Sequence, residues 1–595
     1  MSKSLVAFDI EVYKDYFLIA FKNIETGSVK CFEMYDGVEL DTDGIRAIVS
    51  KNTIVSFNGI NFDIPLMTYA LNGATNVQLK KLCDSIIVKS YKYWDCEREF
   101  GFVISKKIDH IDLFEVAPGK ASLKAYGGKM HSRTLQDLPI DPSANILPEQ
   151  RAPMREYCIN DLQTTIDLYK QLKPQIDLRS ELGARYDVDL RSRSDAQMAE
   201  DVIKKELEKL TKCKVEKSSA IPKPFRYKAP KFIRFQSESM RQILRTVESA
   251  TFVVSETGKV IMPDEIAKAF VSIGRSSYTL GIGGIHSTES SVSYQAGDGW
   301  VLSDRDVASY YPTIILNDGL YPETLGRQFL TAYKDIVDRR IAAKNSGDKV
   351  TADCLKITIN GSFGKFGSKY SVLFSPNLLI QTTMTGQLAL LMLIEMLHLE
   401  GFNVVSANTD GIVIHHHLEY ANDVDNIIAG WESVTGFAVE DTNYSAIYFK
   451  DVNNYIALKE NGYKLKGIYA PPTPVANSWP NPHNQICVDA IIKYLQDGTP
   501  LEDTIMACQD IRRFVSVRTV KGGAVKDDVY LGRVARWYYS CMVSGPITYK
   551  INGYTVPRTE GAQPCMTLPD KLPDDIDYEF YMAECLSILK DIGYA

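Results

Sequence analysis

The stretch SLVAFDIEV, residues 4–12, sets two acids into a run that is otherwise almost wholly apolar. Read as a strand, it sends Asp9 and Glu11 to the same face, because side chains alternate along extended backbone. The flanking pattern is that of a buried strand, so two like charges sit close together where water is scarce. Such a face needs a positive partner. NTIVSFN (52–58) reads as a second buried strand, FDIPLMTYAL (62–71) as the helix after it, and MREYCINDLQTTIDLYKQL (154–172) has helical apolar spacing. This alternation predicts an α/β domain ending near residue 190. Asp63 starts its helix, and Tyr157 and Asp161 lie four apart on one side of another. Four carboxylates together call for two divalent ions, about 4 Å apart, that activate water and stabilise a leaving oxygen in phosphodiester hydrolysis. Tyr157 would orient the water.

At 595 residues the chain is too long for one core. Hydrophobic content of 45% and charged content of 24% are ordinary for a soluble globular protein. There is no run of about 18 apolar residues, which predicts no membrane span, and Asp9 and Glu11 interrupt what would otherwise resemble a signal peptide. Eleven cysteines without a C-x-x-C pair read as reduced thiols of a cytosol, supporting neither a zinc site nor a disulfide framework. The net charge of −7 speaks mildly against a small basic nucleic-acid module, though a large enzyme can segregate its charge. Residues 204–234 hold eleven Lys/Arg against three Glu and read as a solvated helix face followed by a linker.

Further along, LGIGGIHS (280–287) is glycine-rich, and VLSDRDVASYYPTIIL (301–316) reads as a strand leading into a turn at Pro312. Two helical segments, 328–344 and 350–363, flank the turn NSGDK and predict a helical hairpin. VVSANTDGIVIHH (404–416) reads as two strands around a turn, with the following histidines a strand exit. The proline-rich segment 469–484 marks a boundary before a last domain.

FDIE (8–11), NGINFD (58–63) and YCIND (157–161) resemble, in order and spacing, the three motifs of the DEDD-type 3′→5′ exonuclease domain of family B DNA polymerases. DVASYYP (306–312), KITINGSFG (356–364) and NTD (408–410) resemble polymerase motifs A, B and C of the same family. The resemblance covers essentially the whole chain. It implies an α/β and α+β multidomain protein, a ribonuclease H-like exonuclease domain joined to a right-hand polymerase of palm, fingers and thumb. The corresponding boundaries are 1–190 for the exonuclease, 191–325 for a connecting basic segment and first part of the palm, 326–367 for a fingers helical hairpin, 368–470 for the palm and 471–595 for the thumb.

The resemblance implies metal-binding roles for Asp9, Glu11, Asp63 and Asp161, with Tyr157 marking the tyrosine subclass. SLK (122–124) resembles an element that holds single-stranded primer, which gives Ser122 and Leu123 that role beside Asn58. Asp306 and Asp410 would hold two magnesium (or manganese) ions between the primer 3′-OH and the incoming triphosphate. Arg340, Lys344 and Lys356 would grip the triphosphate, with Asn360 and Ser309 in the same nucleotide-binding set. Tyr311 would lie under the sugar, against a ribose 2′-OH. Phe363, Tyr455 and the KLKG residues Lys464 and Lys466 would contact DNA.

The chain departs from the family pattern in places. Asn408 stands where the family usually has the first, more dispensable Asp of motif C. Gly361 and Phe363 replace Ser and Tyr, which predicts a hydroxyl missing beside the nascent pair. Asn453 occupies the Lys position of a Lys-x-Tyr element, and GRVARWYYS (532–540) reads as duplex contact or buried thumb core. The acids begin at residue 9, and the intervals 313–355 and 365–407 are short, which resembles a compact phage-type enzyme extending an ordinary nucleic-acid primer. The expected partners are primer–template DNA and dNTPs, with clamp, helicase or single-strand-binding proteins not identifiable and no membrane. The expected location is a cytoplasm, that of the host cell if the gene is a phage's. The rival reading is a 3′→5′ exonuclease whose drifted polymerase half mainly binds primer–template.

Overall fold

The computed structural model describes residues 3–217, 222–471 and 484–594. The chain divides into two compact units, one of Met1–Gly183, Asp189–Ser194 and Ala470–Glu584, the other of Ala184–Val188, Asp195–Tyr469 and Cys585–Ala595. Helices and several sheets occur in both, a mixed α/β multidomain architecture.

In the first unit a five-stranded sheet runs in the order Val29–Met34, Phe17–Asn23, Ser4–Val12, Asn52–Ser56, His110–Asp112. Ser4–Val12 is central, antiparallel to Phe17–Asn23 and parallel to Asn52–Ser56. Its even residues Val6, Phe8, Ile10 and Val12 pack into a core with Leu66 and Met67 of helix Asp63–Leu71. Its odd face carries Ala7 into a second core with Met154, Tyr157, Cys158 and Leu162 of helix Arg151–Tyr186. A strand buried on both faces thus points Asp9 and Glu11 toward that helix. The unit also holds a four-stranded sheet of Thr548–Tyr549, Ser516–Lys526, Val529–Tyr539 and Ala562–Pro564. Arg536, Trp537 and Tyr539 are buried there, so duplex contact through these residues is corrected to core packing.

In the second unit a seven-stranded sheet has the order Val439–Tyr444, Trp300–Val307, Gly411–His417, Asn403–Asn408, Ile285–Ser287, Ser276–Leu280, Val271–Ile273. The glycine-rich run joins two of these strands, with the Gln387 side chain bonded to both the N–H and C=O of Gly281, each at 2.9 Å. Helix Pro376–Leu399 lies in this unit's core. It amends the expectation from hydropathy, since it is long and apolar enough to cross a membrane, yet 89% of its most apolar window is buried within the protein.

Helices Gln328–Ser346 and Lys349–Phe366 form the expected hairpin, with Gly347 left-handed at the bend (φ 77°) and Asp348 capping the second helix at Thr351 N. The basic segment needs correction. Its start belongs to helix Asp195–Thr211, which buries Met198, Ala199, Val202, Ile203 and Leu207 rather than presenting only a solvated face. Lys365 pairs with Glu200 at 2.8 Å and Arg339 pairs with Glu206, tying that helix to both arms of the hairpin. A Cβ on Gly361 would lie 2.6 Å from the Asp195 carbonyl oxygen. Gly361 therefore serves close helix packing, and the expectation of a missing hydroxyl there is withdrawn. Pro312 does not mark a turn. It is the third residue of helix Tyr310–Asn317, where a missing N–H costs no helical bond. Most of the proline-rich boundary, 472–483, lies outside the described residues. Among the described residues no cysteine forms a disulfide.

Candidate active sites

The first cluster is built on the odd face of Ser4–Val12. The carboxylate oxygens of Asp9 and Glu11 and the Cys158 sulfur lie within 4.8 Å of one another. Cys158 Sγ is 3.8 Å from Asp9 Oδ2. Asp63, 2% exposed, opens helix Asp63–Leu71, and its Oδ1 is buried without a hydrogen-bond partner. The loop before it, NGINFD, is held by Asp112, whose carboxylate accepts from Asn58 N at 2.7 Å and Ile60 N at 2.9 Å. Asp161 is ion-paired with Lys124, whose Nζ also sits 4.3 Å from the centre of the Tyr157 ring.

Burial is the main force on every acid of this cluster. It raises Asp9 to about 7, with Asp161 adding to the rise and Lys124 opposing it. Burial, then Asp9 and Asp161, hold Glu11 well above the usual carboxylate range. Burial and the charges of Asp9 and Asp112 do the same to Asp63. Asp161 is raised by burial against the pull of Lys124, and the Tyr157 phenol is raised by burial and Asp161. An excess of buried negative charge with one orphaned carboxylate oxygen fits divalent cations with hard oxygen ligands.

The second cluster lies at the meeting of strands Trp300–Val307 and Gly411–His417. Asp306 stands opposite Gly411 in register, and Asn408 pairs with Gly411 across the hairpin. Val307 N donates to Asp410 O at 2.7 Å, which ties the two motif strands together at the acids. Asn408 Oδ1 accepts from the Thr409 hydroxyl at 3.1 Å. Asp304, two residues before Asp306 and on the same face, is buried and binds Tyr444 OH and, at 3.4 Å, Lys464 Nζ. Desolvation raises Asp306 to about 6, with Asp304 and Asp410 adding and Lys464 opposing. Desolvation also raises Asp410, and Lys466 draws it back. Burial opposes the charge of Lys464, but Tyr455, Asp304 and Tyr444 outweigh it and raise its pKa, while burial and Lys464 lower that of Lys466.

Both acids open into a cavity of about 1140 Å³ whose lining includes Arg340, Lys344, Lys356, Asn360, Tyr455 and Lys466. Arg340 donates to Ser309 Oγ at 2.9 Å, and Lys344 stands 3.6 Å from Glu440, both groups exposed. Tyr311 stacks on Phe363 with centroids 4.5 Å apart and donates its hydroxyl to the Gly283 carbonyl. Cations on one wall, carboxylates on the floor and an aromatic pair between them make a cleft able to hold a polyphosphate, metal ions and a planar group.

Other sequence-named residues have structural duties as well. Ser122 caps helix Leu123–Lys129 by accepting from Ala125 N at 3.2 Å, and Leu123 packs beside Tyr126 and Tyr169. Asn58 adopts a left-handed backbone (φ 64°). Asn453 sits in the turn between strands Ala446–Asp451 and Asn454–Leu458, its N–H bonded to Asp451 Oδ1 at 2.9 Å. Sequence reasoning missed Lys124, Cys158, Asp112, Asp304 and Tyr444. The alternation that paired Asp9 with Glu11 would have paired Asp304 with Asp306. No local signal identifies Asp112, which acts on a loop distant in sequence.

No family model and no curated protein matches the chain. Among solved structures it is similar to the family B DNA polymerase from the hyperthermophilic archaeon Pyrobaculum calidifontis, at 14% identity over 100% of this chain and 78% of that one, with a TM-score of 0.42. A likeness that distant says nothing of activity or substrate.

Proposed function

We propose that the chain is a family B-type, template-directed DNA polymerase that extends a primer 3′-OH with dNTPs and proofreads through a 3′→5′ exonuclease site. The observation that carries this reading is convergence. Six short motifs scattered between residues 8 and 410 supply side chains to two carboxylate sites, one in each compact unit. One acid cluster alone has ordinary structural explanations, whereas two clusters, one beside a cationic cleft, suit paired synthesis and removal of phosphodiesters.

In the cleft, Asp306 and Asp410 hold the metal site, and Arg340, Lys344 and Lys356 balance the triphosphate charge. Asn360 and Ser309 lie in the same lining, and Lys464 and Lys466 face the primer backbone near Tyr455. Tyr311, braced by Phe363, forms the wall that a ribose 2′-OH would meet. In the other unit Asp9, Glu11, Asp63 and Asp161 hold the hydrolytic site. The Tyr157 phenol keeps its proton and is available to orient water, while Lys124 keeps Asp161 ionised. Magnesium or manganese, when bound at either site, lowers the pKa of the attacking oxygen and neutralises charge on the phosphate. The intervals 313–355 and 365–407 hold helices and strand ends already described, which favours an ordinary primer and a compact phage-type enzyme.

Primer extension with dNTPs and magnesium, run beside single-strand degradation without dNTPs, tests the reading. Both activities are expected. Degradation without extension would favour the drifted-polymerase alternative that Asn408 and Asn453 suggest, and absence of both would end the proposal.

A further inference from the structure

Lys124 reaches the acid cluster from a seven-residue helix, Leu123–Lys129, which is gripped on two sides. A Cβ on Gly127 would lie 2.8 Å from Thr164 Cγ2, on the helix that carries Asp161. A Cβ on Gly128 would collide with Val517 Cγ1, on strand Ser516–Lys526. Neither side has room for a methyl group. The segment after the helix is held by Arg536, which is fully buried. Its guanidinium donates to the carbonyls of Ser132 at 2.8 Å and Arg133 at 3.1 Å, and to those of Cys565 at 2.7 Å and Met566 at 3.0 Å. Leu135 N donates to Met566 O and Leu568 N to Arg133 O, both at 2.8 Å. A buried guanidinium needs all its donors satisfied, so these carbonyls have little freedom to drift.

We infer that the C-terminal segment 516–568 is a positioning element of the nuclease site, with Val517 and Arg536 setting the helix that delivers Lys124 to Asp161 and Tyr157. The inference rests on the nuclease reading of that site. It assigns to this part of the chain a duty that a duplex-gripping thumb would not have. Lys124 contacts both Asp161 and the Tyr157 ring, so a small slide of its helix changes two contacts at once. Misplacement of about 1 Å in such a constellation costs about a hundredfold in rate.

A size swap in the full chain tests this. Gly128→Ala should lower single-strand degradation by about tenfold or more, chiefly in kcat, with KM changed by less than about threefold. Extension by the same preparation should stay within about twofold. Adding Val517→Ala removes the opposing methyls and should restore degradation to near the parent's. Arg536→Lys, which keeps the charge but not the four-carbonyl geometry, should also lower degradation selectively. Amide hydrogen exchange over 123–135 should quicken in Gly128→Ala and recover in the double variant, a readout independent of whether the parent degrades DNA. A parent without degradation would sink the nuclease reading, while exchange would still decide the clamp. Unchanged exchange in Gly128→Ala, failure of the swap to rescue, or a parallel fall in extension would overturn the inference.

Discussion

Asp306 and Gly411 face each other in register across two antiparallel strands, and a Cβ at residue 411 would collide with Asp306 Oδ1. The absence of a side chain at 411 therefore makes room for the carboxylate. Gly411→Ala should displace it and lower extension by about a hundredfold, while single-strand degradation is unchanged. Steady-state assays of both activities check this. Near-normal extension would show that Asp306 has freedom its packing does not suggest.

Asn408 and Asp410 flank the turn of the same hairpin, but the carboxylate opens to the cleft while the amide also accepts from Thr409. Asp410→Ala should abolish extension, and Asn408→Ala should leave measurable activity. Asn408→Asp should change the rate by no more than about tenfold, or about 1.4 kcal/mol of barrier. Single-turnover extension at saturating dNTP and magnesium separates the three. A loss of several orders of magnitude in Asn408→Ala would make the amide a direct participant.

Tyr311 and Tyr310 are adjacent, yet they do different work. Tyr310 is 4% exposed, with its hydroxyl bonded to the Gly386 carbonyl, whereas Tyr311 lines the cavity against Phe363. Tyr311→Ala should raise ribonucleotide incorporation, and Tyr311→Phe, which keeps the ring, should not. Incorporation at matched dNTP and rNTP levels measures it. Unchanged selectivity in Tyr311→Ala would remove this residue as the sugar gate.

His110 is bonded to Ser56 Oγ at 2.7 Å and packs edge-on against Phe8, and burial lowers its pKa from 6.5 to about 3. The folded form therefore favours neutral imidazole. Its contribution is fully present above pH 6.5 and is lost as pH falls from there toward 3, by up to about 1.4 kcal/mol per pH unit. Between about pH 6.5 and 5, His110→Gln should lose about 2 kcal/mol less stability than the parent in urea unfolding. Equal losses would show that this imidazole is not held neutral.

Much of both sites was legible because each motif is a short run with its own periodicity. Asp9 and Glu11 share a strand face, Tyr157 and Asp161 share a helix face, and the helical hairpin announced itself by its turn. Periodicity says which way a residue points but not what it meets. Gly361 read as a lost hydroxyl because the helix from Asp195 that packs on it lies far away in sequence. Arg536 read as a possible DNA contact because nothing nearby reveals the four carbonyls it serves. Pro312 misled because a proline in the first turn of a helix looks, in sequence, like a proline that ends a strand. The apolar character of Pro376–Leu399 was diluted by Asn, Gln and Thr residues that a count of consecutive apolar residues does not forgive.

The proposed function requires that two separate carboxylate sites perform two separable reactions. The decisive experiment takes the parent, Asp9→Ala with Glu11→Ala, and Asp306→Ala, each shown to be folded, and assays each for primer extension and single-strand degradation with magnesium. Extension without degradation is expected in the first variant, and degradation without extension in the second. Loss of both activities in either folded variant, or retention of extension in Asp306→Ala, would contradict the two-site proposal.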